Sequence, residues 1–308
     1  MDLSIVTVTK DLFAILDKCL ESVAKYTSGL EFEMIVLDNN STTGDTEEVT
    51  KKYPFVKLIK NDRNIGFAAA SNKGAKLATG KYLLFLNDDT ELLENSIEKV
   101  FQFIKEKGDI IVGCKLLNVD LTLQHTTADL PTLSNIISSN FFLYKLFPKS
   151  QKFNKYYLCY HDVNSPQIVD YISGAFLLCR KDTFEKLKGF DTRFYLYSEE
   201  MDFCHRFNTM GGNVYYYPLT SVIHIGGATL KAESWFTIRN KNFSVLQYYQ
   251  KNFKGIKFLL AVGVQYWGIL IRVPIFFLIG IFKLNYFYIS RSFNFTRLMF
   301  VYPKNVFK

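Results

Sequence analysis

The sequence predicts an α/β protein built on a doubly wound, mostly parallel sheet flanked by helices, with a C-terminal amphipathic helical tail that associates with membranes. Three observations lead there. Strand and helix patterns alternate through the first 115 residues. Several strand patterns stop abruptly on polar or acidic residues. The net charge of +8 comes from one end of the chain. Alternating strands and helices imply parallel βαβ units, and in such sheets ligands bind where the strands run out.

Each element has its own signal. "LSIVTV" (3–8) is a short β-branched run and reads as a strand. "FAILDKCLESVAKY" (13–26) carries apolar residues at helical spacing. "EMIVLD" (33–38) is a strand that stops on Asp38. "TGDTEEVTKKY" predicts a helix and "FVKLIKN" (55–61) a strand. "GFAAASNKGAKLA" (66–78) is a helix of small residues. "KYLLFLN", "ENSIEKVFQFIKE" and "DIIVGCKLL" then read as strand, helix and strand.

Composition sets the class. With 48% hydrophobic and 21% charged residues in 308, a sizeable core is expected and disorder is not. The five cysteines are odd in number and scattered, with no CxxC pair, which suits a reduced cytosolic chain better than a disulfide scaffold. "MDLSIVTVTK" reads as a first strand rather than a signal peptide. From Lys231 to Lys308 there are 12 Lys and Arg against one acid, Glu233, which leaves −3 for the first 230 residues. That argues against a body that binds nucleic acid and for a tail that meets an anionic surface.

"LLFLNDDTEL" (83–92) places two adjacent carboxylates, Asp88 and Asp89, at the end of an apolar strand. Asp38 ends an earlier strand, so these acids should converge on one rim of the sheet. For a single acid, helix capping by Asp89 or Thr90 is the competing reading. There is no GxGxxG after the first strand, no GxxxxGK[ST], and no glycine in the first loop, "TVTKDLF". Dinucleotide and P-loop chemistries are therefore excluded. Diphosphate oxygens must instead be neutralised by a divalent cation on carboxylates, Mg²⁺ or Mn²⁺.

"SIVTVTK", "IVLDNNSTTGD", "NIGFAAASNKGA", "YLLFLNDDTEL", "ISGAFLLCRKDTFEKLKGFDTRFYLYSEEMDFCHR" and "VIHIGGAT" follow one another in an order that resembles the family-2 glycosyltransferases with the GT-A fold, and among them the bacterial rhamnosyltransferase-like branch. The resemblance covers roughly residues 3 to 255. It implies inverting transfer of a sugar from a UDP- or dTDP-linked donor to a hydroxyl of a cell-surface polysaccharide or lipid-linked glycan. By that resemblance Asp89 and His224 bind the metal, and Asp88 and Asn87 contact the ribose or the metal's water shell. Asn87 occupies the first position of the family's DxD. Asp38, Thr7 and Thr9 line the base and ribose pocket, and Asn64, Gly66 and Asn72 pack the base and diphosphate. Gly174 and Ala175 let the backbone lie against the donor sugar. Glu200, where the family's "ED" pair has Asp, is the general base, with Glu199 and Asp202 toward the acceptor. The local alternative for these three acids is a favourable helix N-terminus. Two rival functions stay open: a nucleotidyltransferase, disfavoured by the glycine-free first loop, and a non-catalytic sugar-nucleotide-binding scaffold.

These signals divide the chain into a glycosyltransferase domain, 1–255, and a basic tail, 256–308. Within the domain, 1–115 is the nucleotide-sugar half and 116–255 the acceptor and catalytic half. In the tail the longest charge-free run, Phe258 to Ile271, is 14 residues and is followed by Arg272 and Pro274. A routine span needs about 20. An interfacial helical pair is therefore expected, on the cytoplasmic face of the inner membrane. A buried C-terminal helix and a re-entrant hairpin are the alternatives, and a homodimer stays open.

Overall fold

The computed structural model describes residues 1–124, 127–147, 149–150, 152–154, 164–226 and 234–306. Residues 155–163, in the half assigned to the acceptor, and the end of "VIHIGGAT" lie outside these residues. In chain order the elements begin β1 (Leu3–Thr9), α1 (Phe13–Tyr26), β2 (Phe32–Asp38), α2 (Thr46–Thr50), β3 (Val56–Lys60), α3 (Phe67–Leu77) and β4 (Tyr82–Leu86). Next are β5 (Thr90–Leu92), α4 (Ser96–Lys107), β6 (Ile110–Leu117), β7 (Leu123–Gln124), β8 (Thr127–Ala128), α5 (Leu133–Asn140) and α6 (Leu143–Leu146). There follow β9 (Gln167–Val169), β10 (Tyr171–Ile172), β11 (Phe176–Arg180), α7 (Lys181–Lys186), α8 (Glu199–Thr209) and β12 (Asn213–His224). Last come the α-helices α9 (Trp235–Asn252), α10 (Gly255–Phe282) and α11 (Tyr286–Val301), followed by a 3-10 turn at Pro303–Asn305.

The chain divides into two compact units. The first comprises Met1–Ala128, Asp162–Tyr195 and Glu199–Thr229. Its main sheet runs β3-β2-β1-β4-β11-β6-β12-β5. β1 is parallel to β2 and β4, β2 to β3, and β6 to β12. β11 is antiparallel to β4 and β6, and β5 to β12. The mostly parallel, doubly wound sheet expected from the sequence is therefore present. Ile5, Val6, Met34, Ile35 and Leu83 to Leu86 are buried, as parallel strands covered on both faces require. α1 presents Leu16, Cys19, Leu20 and Val23 to this core, and α4 presents Ile97, Val100, Phe101 and Ile104.

The small residues of α3 let it lie close to the sheet. A Cβ on Gly74 would come within 2.5 Å of Val6 Cγ1 and 2.7 Å of Leu37 Cδ2. At its start, Gly66 has φ +84°, and a Cβ there would stand 2.6 Å from the carbonyl oxygen of Tyr195. Left-handed backbone and lack of room together require glycine. The helix expected over "TGDTEEVTKKY" is only the five residues of α2. Asp45 caps it by accepting from Glu47 N–H, and Pro54 steers the residue before it away from helical backbone.

The second unit comprises Asp129–His161, Leu196–Ser198 and Leu230–Lys308. Here α10 runs as one 28-residue helix through Arg272 and Pro274, where the sequence suggested a break. Arg272 is only partly exposed. Its guanidinium donates to the carbonyls of Gly268 (2.8 Å), Asn140 and Ser139 (both 3.2 Å), and lies 4.8 Å from the Phe142 ring centroid. With the charge absorbed inside the unit, Pro274 forfeits a backbone bond without ending the helix. α11 returns antiparallel along α10. Gly280 admits Ile289, Ser292 Oγ donates to Val273 O (2.8 Å), and the Phe276 and Phe295 rings stack at 5.6 Å.

Candidate active site

β1, β2 and β4 are parallel neighbours that end at Thr9, Asp38 and Leu86. Their carboxyl ends therefore bring Thr9, Asp38 and the Asn87–Asp89 turn to one rim. The turn is fastened from below. Asn87 N–H donates to Ala175 O (3.0 Å), and Thr90 Oγ1 donates to Asn87 O (2.7 Å). Cys19 Sγ lies 3.7 Å from that same carbonyl.

Asp89 reaches across to the end of β12. Its Oδ2 accepts from Gly226 N–H (3.1 Å), and its Oδ1 stands 3.2 Å from His224 Nε2. His224 Nδ1 lies 2.6 Å from Gln124 Oε1. Gln124 Nε2 donates to Asn118 Oδ1 (3.0 Å) and His224 O (3.2 Å), which turns the acceptor end of the amide toward the ring. The network thus assigns the proton to Nδ1 and a lone pair to Nε2. That lone pair faces Asn87 Nδ2 at 3.3 Å and a carboxylate oxygen at 3.2 Å. Two acceptors so close call for a proton or a cation near both.

Asp88 is buried, and its Oδ2 has no hydrogen-bond partner. Burial, and then the charge of Asp89, push its carboxyl up to about 7. The hydroxyls of Thr7 and, on α3, Ser71 are also buried without a partner, and the Thr9 hydroxyl lies beside the Asp88 carboxyl. Buried polar groups are nearly always satisfied, so unsatisfied oxygens on the elements of a strand-end rim point to a polar ligand. A divalent cation fits this donor set of hard carboxylate oxygens and one imidazole. Among the described residues, no three His, Cys, Asp or Glu side chains are arranged to hold an ion by themselves.

Other expected residues have local partners. Asp38 accepts from Ser41 N–H (2.8 Å) and Thr46 Oγ1 (2.6 Å), so it orders the loop after β2 at the rim. Asn64 is held by Asn39, whose Nδ2 donates to Asn64 Oδ1 (2.8 Å) while its Oδ1 accepts from Ile65 N–H (3.0 Å). Gly66 N–H donates to that same Asn64 oxygen at 3.0 Å. Asn72 uses both ends of its amide on the backbone of Phe190, at 2.8 and 2.9 Å. It anchors the loop ahead of the second acidic cluster. Asn39 escaped sequence reasoning, although "LDNNS" doubles the asparagine where a turn follows a strand.

That second cluster occupies the first turn of α8. A Cβ on Gly174 would lie 3.5 Å from Glu200 Cβ. The next residue, Ala175, accepts from Asn87 N–H. Two short links thus connect Glu200 to the Asn87–Asp89 turn. Glu200 is half-buried, with Oε2 sheltered and unpartnered, and burial raises its pKa. Glu199 is buried and its Oε2 also lacks a partner. Burial, then the charge of Glu200, lift its carboxyl well above the usual 4.5. Asp202 is 0% exposed and pairs with Arg206 Nε at 2.7 Å. Arg206 also donates to Leu187 O and, at 2.8 Å, to Gly189 O, which locks α8 to the turn after α7. Arg206 was missed as well; its signal is the i,i+4 Asp–Arg spacing in "DFCHR".

The raised Glu199 pKa has a testable sign. Above about pH 4.5 the unfolded chain releases this proton while the folded chain keeps it. Stability therefore falls as pH rises toward the folded value. Glu199→Gln has no proton to lose, so between about pH 5 and 8 its melting temperature should fall less than that of the wild type. Parallel melting curves for the two proteins would show that Glu199 ionises normally.

The sheet order, with acids at its carboxyl rim, is a GT-A-like fold. The profile described as glycosyl transferase family 2 matches residues 4–205. The chain belongs to that family. The O-antigen biosynthesis protein RfbC of Myxococcus xanthus is 27% identical over 234 residues, 75% of this chain and 18% of that protein. A PGL/p-HBAD biosynthesis glycosyltransferase of Mycobacterium tuberculosis is 34% identical over 116 residues, 36% of this chain and 45% of its own length. Rhamnosyltransferase WbbL of Escherichia coli K12 is 26% identical over 202 residues, 63% of this chain and 72% of that one. The first two matches thus span less than half of those relatives. Among solved structures, GalNAc-T7 with UDP, GalNAc and Mn²⁺ shares the fold at TM-score 0.56 and 17% identity, over 72% of this chain and 43% of that one. TarS of S. aureus does so at TM-score 0.53 and 15% identity, over 86% and 42%.

Proposed function

We propose that the protein is an inverting, Mn²⁺- or Mg²⁺-dependent transferase. It moves a sugar from a UDP- or dTDP-linked donor to a hydroxyl of a lipid-linked or cell-surface glycan, on the cytoplasmic face of the inner membrane. The observation that carries this reading is the buried Asp88–Asp89 pair at the end of β4, faced by His224 Nε2. O-antigen and rhamnosyltransferase relatives support the substrate class. Residues 1–115 serve the nucleotide-sugar, 116–255 the acceptor, and the basic tail from 256 the membrane surface.

In this reading Asp89 and His224 hold the cation, and Asn87 and Asp88 face the ribose and the ion's water shell. When bound, the ion would supply positive charge to the leaving diphosphate. Thr7, Thr9 and Asp38 border the nucleoside, and Asn64, Gly66 and Asn72 shape the wall beside it. Gly174 and Ala175 leave room for the sugar. Glu200 takes the proton of the acceptor hydroxyl, and its raised pKa makes it the stronger base for that step. Glu199 and Asp202 stand at the acceptor side, with Asp202 fixed by Arg206.

The test is a thermal-shift titration. A ligand that binds only the folded state raises the melting temperature by mass action, with about 2.7 kcal/mol gained at a hundredfold excess over Kd. UDP or dTDP should stabilise the protein with Mn²⁺ and much less without it. Equal shifts with EDTA present would refute the metal dependence.

A further inference from the structure

The polarity of α10 is inverted relative to a helix that faces water. Its polar residues turn into their own unit. Gln265 Nε2 donates to Asn242 Oδ1 (2.7 Å), its Oε1 accepts from Asn140 Nδ2 (3.0 Å), and Arg272 is held by Asn140 and Ser139. The opposite face carries Ile256, Leu259, Trp267, Phe277, Leu278 and Ile281, all exposed, with Trp267 at 60%. At 100° per residue these six fall within about 100° of arc. No charged side chain of α10 lies on that stripe. Lys254 and Lys257 stand at one end of the helix and Lys283 at the other.

We propose that this stripe inserts into one leaflet of an anionic bilayer, with α10 lying in the plane of the interface. The inference rests on the membrane part of the function proposed above and names the surface that carries it. A water-facing helix with this polarity would expose its apolar side and bury its cations; a lipid-facing one gains from the same arrangement. The surplus of basic residues from Lys231 onward complements anionic headgroups. At 28 residues α10 is long and apolar enough to cross a membrane. α11, however, packs antiparallel on it, with Arg291 4.1 Å above the Phe276 ring and Arg297 exposed. An upright α10 would carry both arginines into hydrocarbon, which is costly. Lying flat, the pair keeps them at the headgroups.

The two tryptophans give a direct test. In full-length Trp235→Phe, Trp267 is the sole reporter. Mixed with vesicles of phosphatidylglycerol and phosphatidylcholine, its emission should shift to the blue and become shielded from aqueous acrylamide. Lipids brominated high on the acyl chain should quench it more than lipids brominated near the chain end. Stronger quenching from the chain end would mean a span and overturn the in-plane placement. Shielding without vesicles would mean that a second copy covers the stripe. Vesicle binding with Trp267 still open to acrylamide would defeat this inference alone, whereas no binding at all would defeat the membrane reading too. Trp267→Glu with Leu278→Glu, both at exposed positions, should lower co-sedimentation at least tenfold. Wild-type binding by that variant would also overturn the proposal.

Discussion

Glu200→Gln is expected to bind donor as the wild type does and to transfer sugar more slowly by on the order of 10²-fold or more. The amide keeps the shape and loses the base. Donor affinity should survive because the proposed nucleotide site is the other cluster, around Asp88 and Asp89. Donor Kd measured by calorimetry, beside single-turnover transfer, separates the two effects. Asp202 is the control. Buried and paired with Arg206, it should affect stability when changed to Asn more than it affects the chemical step. If Glu200→Gln transfers normally and a folded Asp202→Asn is dead, the base is misassigned.

Asp89→Ala should abolish the cation-dependent part of UDP or dTDP binding. Three contacts disappear together: the oxygen facing His224 Nε2, the acceptor for Gly226 N–H, and the negative charge beside Asp88. Relieved of that charge, Asp88 should ionise at a lower pH in the variant. Residual nucleotide binding should be the same with Mn²⁺ or EDTA. Wild-type affinity for UDP with Mn²⁺ in this variant would sink the assignment.

Much of this site was legible because strands advertise their ends. "LLFLNDD" switches from apolar to acidic within one residue, and chain direction then dictates which rim receives the acids. Asp38 followed from the same logic. What stayed hidden depends on contacts between segments distant in sequence. Nothing in "LQHTT" announces that Gln124 orients His224, 100 residues on. Asn72 read as a pocket residue through the family resemblance; both ends of its amide are used on the Phe190 backbone. Tyr197 and Ser198 take φ of +71° and +69° immediately before the first turn of α8, and no glycine marks the place. The tail misled for a related reason. Charge counting treats Arg272 as a break, whereas a guanidinium whose N–H groups are taken up by carbonyls of its own unit interrupts nothing.

The cysteines carry a consequence for oxidation. Cys19, Cys114, Cys179 and Cys204 are free and buried, in α1, β6, β11 and α8. Burial pushes every one of these thiols up, Cys19 and Cys204 to about 12. At pH 7 a thiol of that kind is ionised to roughly one part in 10⁵, and the thiolate is the form that attacks peroxides and disulfides. These four positions are therefore inert while the chain is folded, even Cys19 beneath the Asn87–Asp89 turn. Their vulnerability lies in the unfolded chain, where the same thiols regain ordinary acidity and solvent. For these residues, reducing surroundings protect folding rather than the finished protein.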